Sequence, residues 1–286
     1  MTKAQGGPHR LTIDLDGLWC YRQIHGVTHA EEPRAAVDDD VLLLGLPRFL
    51  EMCALLSTKA TLFVVGLDLR NARYARLIED AARAGHDVMS HSHSHAYDLS
   101  RWSRGRMGDD VRASVAAIKA VTGVAPAGFR APGYNLSKEL IDVVKDTGLS
   151  WSSSLMPSPA YFAARAAIIL STTLRGGRSA SLFGDPRAFG ARGQRAQEQR
   201  HANGLREYPL SAAWGIPFTG TMLALLPDSA GVCLTEGAVK NDDVQLELHA
   251  ADFVEGSLLP PGQPERAVPL ALKLARLQRA ARRVID

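Results

Sequence analysis

Short apolar runs that end in polar, chemically useful residues recur along this chain, and each is followed by a stretch of helical periodicity. Leu11–Leu15 (LTIDL), Ala60–Val65 (ATLFVV), Asp87–Met89 and Val244–His249 (VQLELH) are four of them. Runs this short and apolar read as strands buried on both faces, and the intervening segments, such as 41–57, 71–84, 109–121 and 137–147, read as helices. A strand followed by a helix, repeated, requires parallel pairing with helices covering the sheet. The expected fold is therefore α/β, and at 286 residues one barrel, or one and a half domains, fits the length. Functional groups of such a barrel gather at the strand C-termini.

Helix punctuation supports the pattern. Gly85 stops the helix over 71–84, Ser137 caps the helix over 137–147, and Pro47 is expected in the first turn of the helix within 41–57. Residues 31–40 are polar and are expected to form a loop over the site. The segment 268–284 is amphipathic, with leucines to pack on the barrel and arginines on its outer face.

The stretch Gly85–Leu99 holds four of the nine histidines, three of them alternating as His91, His93 and His95. A buried imidazole needs a partner for each ring nitrogen, so packing alone does not explain three so close together. A solvated His-rich turn is the plain alternative. A metal site is favoured because its other halves stand at other strand ends. Asp14 and Asp16 share one face of the first strand by alternation, and His249 closes the last.

Composition narrows the setting. A formal charge of +3 gives no case for a nucleic-acid partner. Cys20, Cys53 and Cys233 are far apart, odd in number and lack CxxC spacing, which suits reduced thiols in a cytosolic protein. The first residues, MTKAQGGPHR, contain no apolar signal core, and no run approaches the roughly 20 apolar residues of a membrane span.

One region departs from the strand and helix rhythm. Between 157 and 206 the chain carries eight arginines, from Arg165 to Arg206, against Asp185 and Glu198. A solvated insertion is the commoner meaning of such a run. The alternative is a flap that meets a substrate phosphate or anionic headgroups, with 161–170 along the membrane interface.

In order along the chain, TIDLDG, ATLFVVG, SHSHSH, FRAPGY and LELHAADF resemble the five motifs of the polysaccharide deacetylase family, the NodB-type carbohydrate esterases, in the branch with spaced aspartates. The resemblance implies a single deformed (β/α)7 barrel over 1–286, with the basic insertion at about 157–206. It implies a metal-dependent hydrolase that removes an acetyl or formyl group from an amino sugar. By that resemblance Asp16, His91 and His95 hold one divalent cation, zinc first, with cobalt, nickel, iron and manganese as alternatives. Asp14 is the base that deprotonates the attacking water, with the reverse split of the two aspartates open in this spaced form. Arg130 orients the base and His249 is the general acid. Gly133 and Tyr134 stand at the oxyanion and substrate side, while His93 stays outside the site.

Two positions depart from the family pattern. Trp151 is followed by Ser152 where many members have an aspartate, and Trp151 either walls the sugar site or packs in the core. Asp252 either orients His249 or caps a helix. The expected substrate is an N-acyl amino sugar, free or carried on lipid or phosphate, handled in the cytoplasm or at the inner membrane face. Action on a non-sugar cyclic amide, or a catalytically silent carbohydrate-binding barrel, are the rival readings.

Overall fold

The computed structural model describes residues 7–26, 39–181 and 198–286. In chain order the elements are β1 (Leu11–Leu15), α1 (Leu18–Ile24), α2 (Asp40–Leu55), β2 (Thr61–Val64), α3 (Ala72–Arg83), β3 (Asp87–Ser90), α4 (Arg104–Thr122), β4 (Gly128–Phe129), α5 (Lys138–Asp146) and β5 (Trp151–Ser152). They continue with α6 (Pro159–Leu174), β6 (Gln199–Arg200), β7 (Arg206–Glu207), β8 (Ala212–Ala213), β9 (Ile216–Pro217), α7 (Gly220–Leu225), α8 (Asp228–Ala238), β10 (Leu246–His249) and α9 (Leu270–Ile285).

The main sheet runs in the order β10-β1-β2-β3-β4-β5-β7-β6. Every neighbouring pair is parallel except β6 with β7. Among the described residues seven parallel strands thus form a curled sheet, and every residue of β1 and β2 is buried, as helices on both faces require. The two ends of the curl are joined by side chains and connecting segments. Gln245, just before β10, donates through Nε2 to the carbonyls of Tyr208 and Pro209 and through its backbone N–H to Ser211 Oγ. The expected α/β barrel is present in this deformed form.

The register sets the site. Asp14 on β1 stands opposite His249 on β10 and opposite Phe63 on β2, so the C-terminal ends of adjacent strands deliver their polar residues to one level. Below them the core is aliphatic, with Leu11, Ile13, Leu62, Leu246 and Leu248 buried.

Several helix expectations shift. Helix α2 is capped by Asp39, whose Oδ1 accepts from Val41 N–H at 3.0 Å, and Pro47 lies in the helix interior instead of its first turn. Tertiary packing holds the helix through the missing N–H donor, since Gly45 abuts the carbonyl of Ala250 where a side chain would collide. Helix α4 begins at Arg104, five residues ahead of the expected Asp109, because its first turn is polar and exposed and leaves no apolar period to read. The arginines of α9 do not simply face solvent. Arg276 and Arg283 bond Asp228 and Glu236 of α8 at 2.7 Å each.

The basic segment also resolves differently. It contains α6, β6 and β7, so its end belongs to the sheet, and Arg165 is buried. Residues 31–38 of the expected loop, and Arg187, Arg192 and Arg195, lie outside the described residues.

Candidate active site

The histidine loop follows β3. His91 N–H still bonds the carbonyl of Val64, which extends the ladder by one residue, and then the chain turns sharply. Ser92 and His95 adopt left-handed backbone at φ 62° and 49°, a conformation that non-glycine residues hold only where the surroundings impose it. Here the surroundings do so. Ser92 Oγ accepts from His95 N–H, and the two oxygens of Asp110, on α4, accept from His93 N–H at 2.8 Å and Ser94 N–H at 3.0 Å. Gly66 and Leu67 bond the carbonyls of Ser92 and His93.

That loop brings His91 Nε2 to 3.2 Å and His95 Nε2 to 3.0 Å from Asp16 Oδ1. All three residues are buried, and their donor atoms lie within 4.8 Å of one another. Burial opposes the charge of Asp16, yet His95 and His91 beside it hold its carboxyl well below the usual range. Burial likewise opposes the charge of His91, but Asp14 and Asp16 outweigh it and raise the imidazole.

The donor set suits a divalent cation. His91 Nδ1 lies 2.9 Å from the carbonyl of Arg130, which fixes it as the N–H and leaves Nε2 as the nitrogen that could bind a cation. His95 Nδ1 lies 3.4 Å from Cys20 Sγ, and the ring sits edge-on to Trp19 and Tyr97. Two neutral nitrogens and one carboxylate oxygen leave coordination positions open, as in hydrolytic sites. His93 is directed away, against Gly66.

Asp14 is organised separately. Arg130, wholly buried, donates through Nη1 to Asp14 Oδ1 at 2.6 Å. The guanidinium is fixed by Nε to the Ser153 carbonyl and by Nη2 to Ser153 Oγ, and its face covers Phe63 at 3.9 Å. Tyr134 Oη donates to Asp14 Oδ2 across 3.4 Å. Gly133 and Tyr134 form a left-handed turn at φ 57° and 58°. A side chain at 133 would meet the Tyr97 ring and the Arg165 guanidinium. Arg165 bonds the Gly133 carbonyl at 2.8 Å and Asn135 Oδ1 at 3.2 Å, so the one inward arginine of α6 clamps this turn.

His249 closes the site from β10. Its Nδ1 lies 3.1 Å from Glu247 Oε1. Burial opposes the charged ring, but Glu247, Asp16, Asp14 and Asp252 together raise it to about 9. Asp252 spends Oδ2 on the backbone N–H of His249 at 2.8 Å, so of its two expected roles it takes the cap.

Trp151 is in the core. It is fully buried on β5, edge-on to Phe63 and Tyr208 and pressed over Gly128, so it lies beneath the site and cannot wall a sugar. Sequence reading also passed over Glu247 and Glu207. The signal for Glu247 was present, since alternation on VQLELH puts it on the same face as His249. Glu207 gave none. Its Oε1 accepts from Ser154 and Leu155 N–H, and this supports the Ser153 turn that holds Arg130.

Residues 38–151 match the polysaccharide deacetylase family model. Over that segment the chain is similar to polysaccharide deacetylases. A peptidoglycan deacetylase of Helicobacter pylori is 30% identical over 114 residues, 40% of this chain and 38% of the relative. An uncharacterized Bacillus subtilis protein, YlxY, is 31% identical over 88 residues, 31% of this chain and 27% of the relative. The chain therefore spans well under half the length of the curated relatives it matches. A crystal structure from Mycobacterium smegmatis, provisionally named a polysaccharide deacetylase, superposes with a TM-score of 0.57 at 17% identity, covering 95% of this chain and 82% of the other. The fold of that structure is thus shared well beyond the segment that the family model matches.

Proposed function

We propose that this chain is a metal-dependent hydrolase that removes an acetyl or formyl group from the nitrogen of an amino sugar. One observation carries the reading: Asp16, His91 and His95 converge on a single point, beside a second carboxylate, Asp14, that is held by Arg130 instead. The similarity to a peptidoglycan deacetylase supports the substrate class.

Asp16, His91 and His95 are assigned to one divalent cation, zinc first. Such a cation supplies Lewis-acid polarisation of the amide carbonyl and a water that loses its proton near neutral pH. The remaining steps belong to the chain. Asp14, aimed by Arg130 and Tyr134, takes the proton of the attacking water. The backbone N–H of Gly133 offers a donor to the developing oxyanion. His249 gives a proton to the departing nitrogen as the carbon–nitrogen bond breaks, and Tyr134 with Tyr161, 5.4 Å apart edge to face, lines the approach.

A carrier of lipid and phosphate is the favoured form of the sugar. Helix α6 leaves Leu170 and Leu174 exposed at 60% and 79%, with the exposed Arg175 and Arg178 following directly. An apolar edge beside cationic side chains suits an anionic membrane face. A cytoplasmic setting at the inner membrane face agrees with three unbridged cysteines. Among the described residues no helix is long and apolar enough to cross a membrane.

The deciding assay incubates the metal-loaded protein with panels of N-acyl amino sugars and of cyclic amides. Free acetate or formate from the sugars, abolished by Asp14→Asn, supports the proposal. Ring opening of the cyclic amides, or sugar binding without turnover, would overturn it.

A further inference from the structure

Glu247 is an acid in a place where acids are costly. It is 1% exposed on β10, and among the described residues neither carboxylate oxygen is hydrogen-bonded, the His249 ring being the close charged neighbour. A buried carboxylate without compensation costs several kcal/mol (~3 or more), so such a residue persists where a cation or a proton answers it. Strand alternation points its side chain to the same side as His249, and the register places it opposite Thr12 while His249 stands opposite Asp14. Its Oε1 is 3.1 Å from His249 Nδ1.

The other charged groups around His249 are engaged elsewhere. Asp252 caps the backbone of the turn, and Lys273, reaching in from α9, donates to the carbonyls of Ala251 and Val254. Arg130 is bound to Asp14, and Asp16 faces His91 and His95. Glu247 is the carboxylate at the ring itself. Nδ1 of His249 is buried, yet the side chain keeps 21% exposure, so the accessible edge of the ring is the one that carries Nε2.

We propose that Glu247 is the positioning carboxylate of His249. It keeps the proton of Nδ1 in place and turns Nε2 toward the leaving nitrogen. The inference rests on the reading of His249 as general acid. In the balanced reaction, the hydroxyl of water adds to the acyl carbon and its proton passes to Asp14. The Nε2 proton of His249 goes to nitrogen as the carbon–nitrogen bond breaks. The proton on Asp14 then returns through solvent to restore His249. Glu247 neither gains nor loses a proton; it fixes the tautomer and stabilises the imidazolium between turnovers. This is the general service of a carboxylate to a catalytic imidazole, supplied here from two residues upstream on the same strand.

The test uses the full chain loaded with zinc and compares Glu247→Gln, Glu247→Asp and His249→Asn. The His249 ring signals, assigned by their loss in H249N, are followed by 15N and 13C NMR against pH. The wild type is expected to hold the Nδ1–H tautomer when neutral and to titrate higher than E247Q by about one pH unit or more. E247Q is expected to lose about 10- to 100-fold in kcat with KM little changed, its alkaline limb moving to lower pH. E247D should recover part of both, and E247Q on top of H249N should add no further loss. An unchanged His249 titration in E247Q would overturn the proposal. So would the loss of a metal equivalent in E247Q, which would make Glu247 a ligand. Should E247Q fail to fold by circular dichroism, the E247D titration decides alone. If H249N were as active as wild type, the general-acid reading would fall, while the NMR titration would still report whether Glu247 positions the ring.

Discussion

Arg130 Nη1 donates to Asp14 Oδ1 across 2.6 Å, with both side chains almost wholly shielded from solvent. Arg130 spends its other donors on Ser153, Thr12 and Gln245. Arginine therefore acts as a fork that ties three strand ends to one carboxylate, a geometry that lysine cannot copy. Removing one member of a buried pair leaves the other charge uncompensated.

Arg130→Met is accordingly expected to lower stability by about 3–5 kcal/mol. Arg130→Met with Asp14→Asn should lose less than the sum of the single changes, since the second change removes the stranded charge. Urea midpoints for the four proteins complete the cycle. Additive losses would show that the pair is not coupled.

Metal binding gives an independent expectation. Asp16→Ala, His91→Ala and His95→Ala should each lose most of the bound zinc, whereas Asp14→Asn keeps about one equivalent, as measured by elemental analysis. Because the donors lie in the folded site only, metal at 100 times its dissociation constant should stabilise the wild type by about 2.7 kcal/mol, and a chelator should lower its melting temperature. Equal zinc content in D14N and D16A would exchange or merge the roles of the two aspartates.

The strands, their order of use and the polar residues at their ends were legible because burial on both faces and alternation leave marks in the sequence. Leu11–Leu15 and the histidine run needed only that logic. What was not legible depends on partners distant in sequence. Glu207 acts on backbone N–H groups of Ser154 and Leu155 more than 50 residues away. Asp110 acts on the histidine loop from α4, and its helix starts with a turn too polar to announce itself. Trp151 looked equally suited to a sugar wall or a core, and only its neighbours Phe63 and Tyr208 settle the matter. Arg165 belonged by composition to a basic run, yet its guanidinium satisfies buried acceptors at Gly133 and Asn135.

Acid should act on the fold at a site remote from the proposed metal ligands. His86 Nδ1 accepts the backbone N–H of Ala60 at 3.2 Å, which requires a neutral ring. Burial, with Lys59 and His9 nearby, lowers the imidazole from 6.5 to about 4, against the opposing pull of Asp87. A histidine depressed in the folded state contributes stability above its unfolded value. That contribution is lost as pH falls from 6.5 toward 4, because the unfolded chain takes up the proton first. His86→Asn keeps an acceptor but does not titrate. Urea midpoints at pH 7, 5 and 4 should therefore show the wild type losing ground to H86N as the solution becomes more acidic. A constant difference between the two proteins would remove His86 as a cause.

Helix α6 makes the last prediction, because its two ends do different work. Its first turns serve the site, with Tyr161 against Tyr134 and Arg165 on the Gly133 turn. Its last turns carry Leu170 and Leu174 into solvent, and burying two exposed leucines in lipid is worth about 1.5–3 kcal/mol each. The adjacent Arg175 and Arg178 add attraction of about 1 kcal/mol each near an anionic surface. The wild type should therefore co-sediment with vesicles that contain anionic lipid more than with neutral ones. Leu170→Glu with Leu174→Glu should abolish that preference, since it removes apolar contact and adds repulsion together. Turnover of a water-soluble N-acyl amino sugar should stay unchanged in that variant, since both positions lie beyond the turns that touch the site. Equal partition of wild type onto neutral and anionic vesicles would refute the membrane role. Loss of soluble-substrate turnover in the double variant would instead make the end of α6 part of the site's own support.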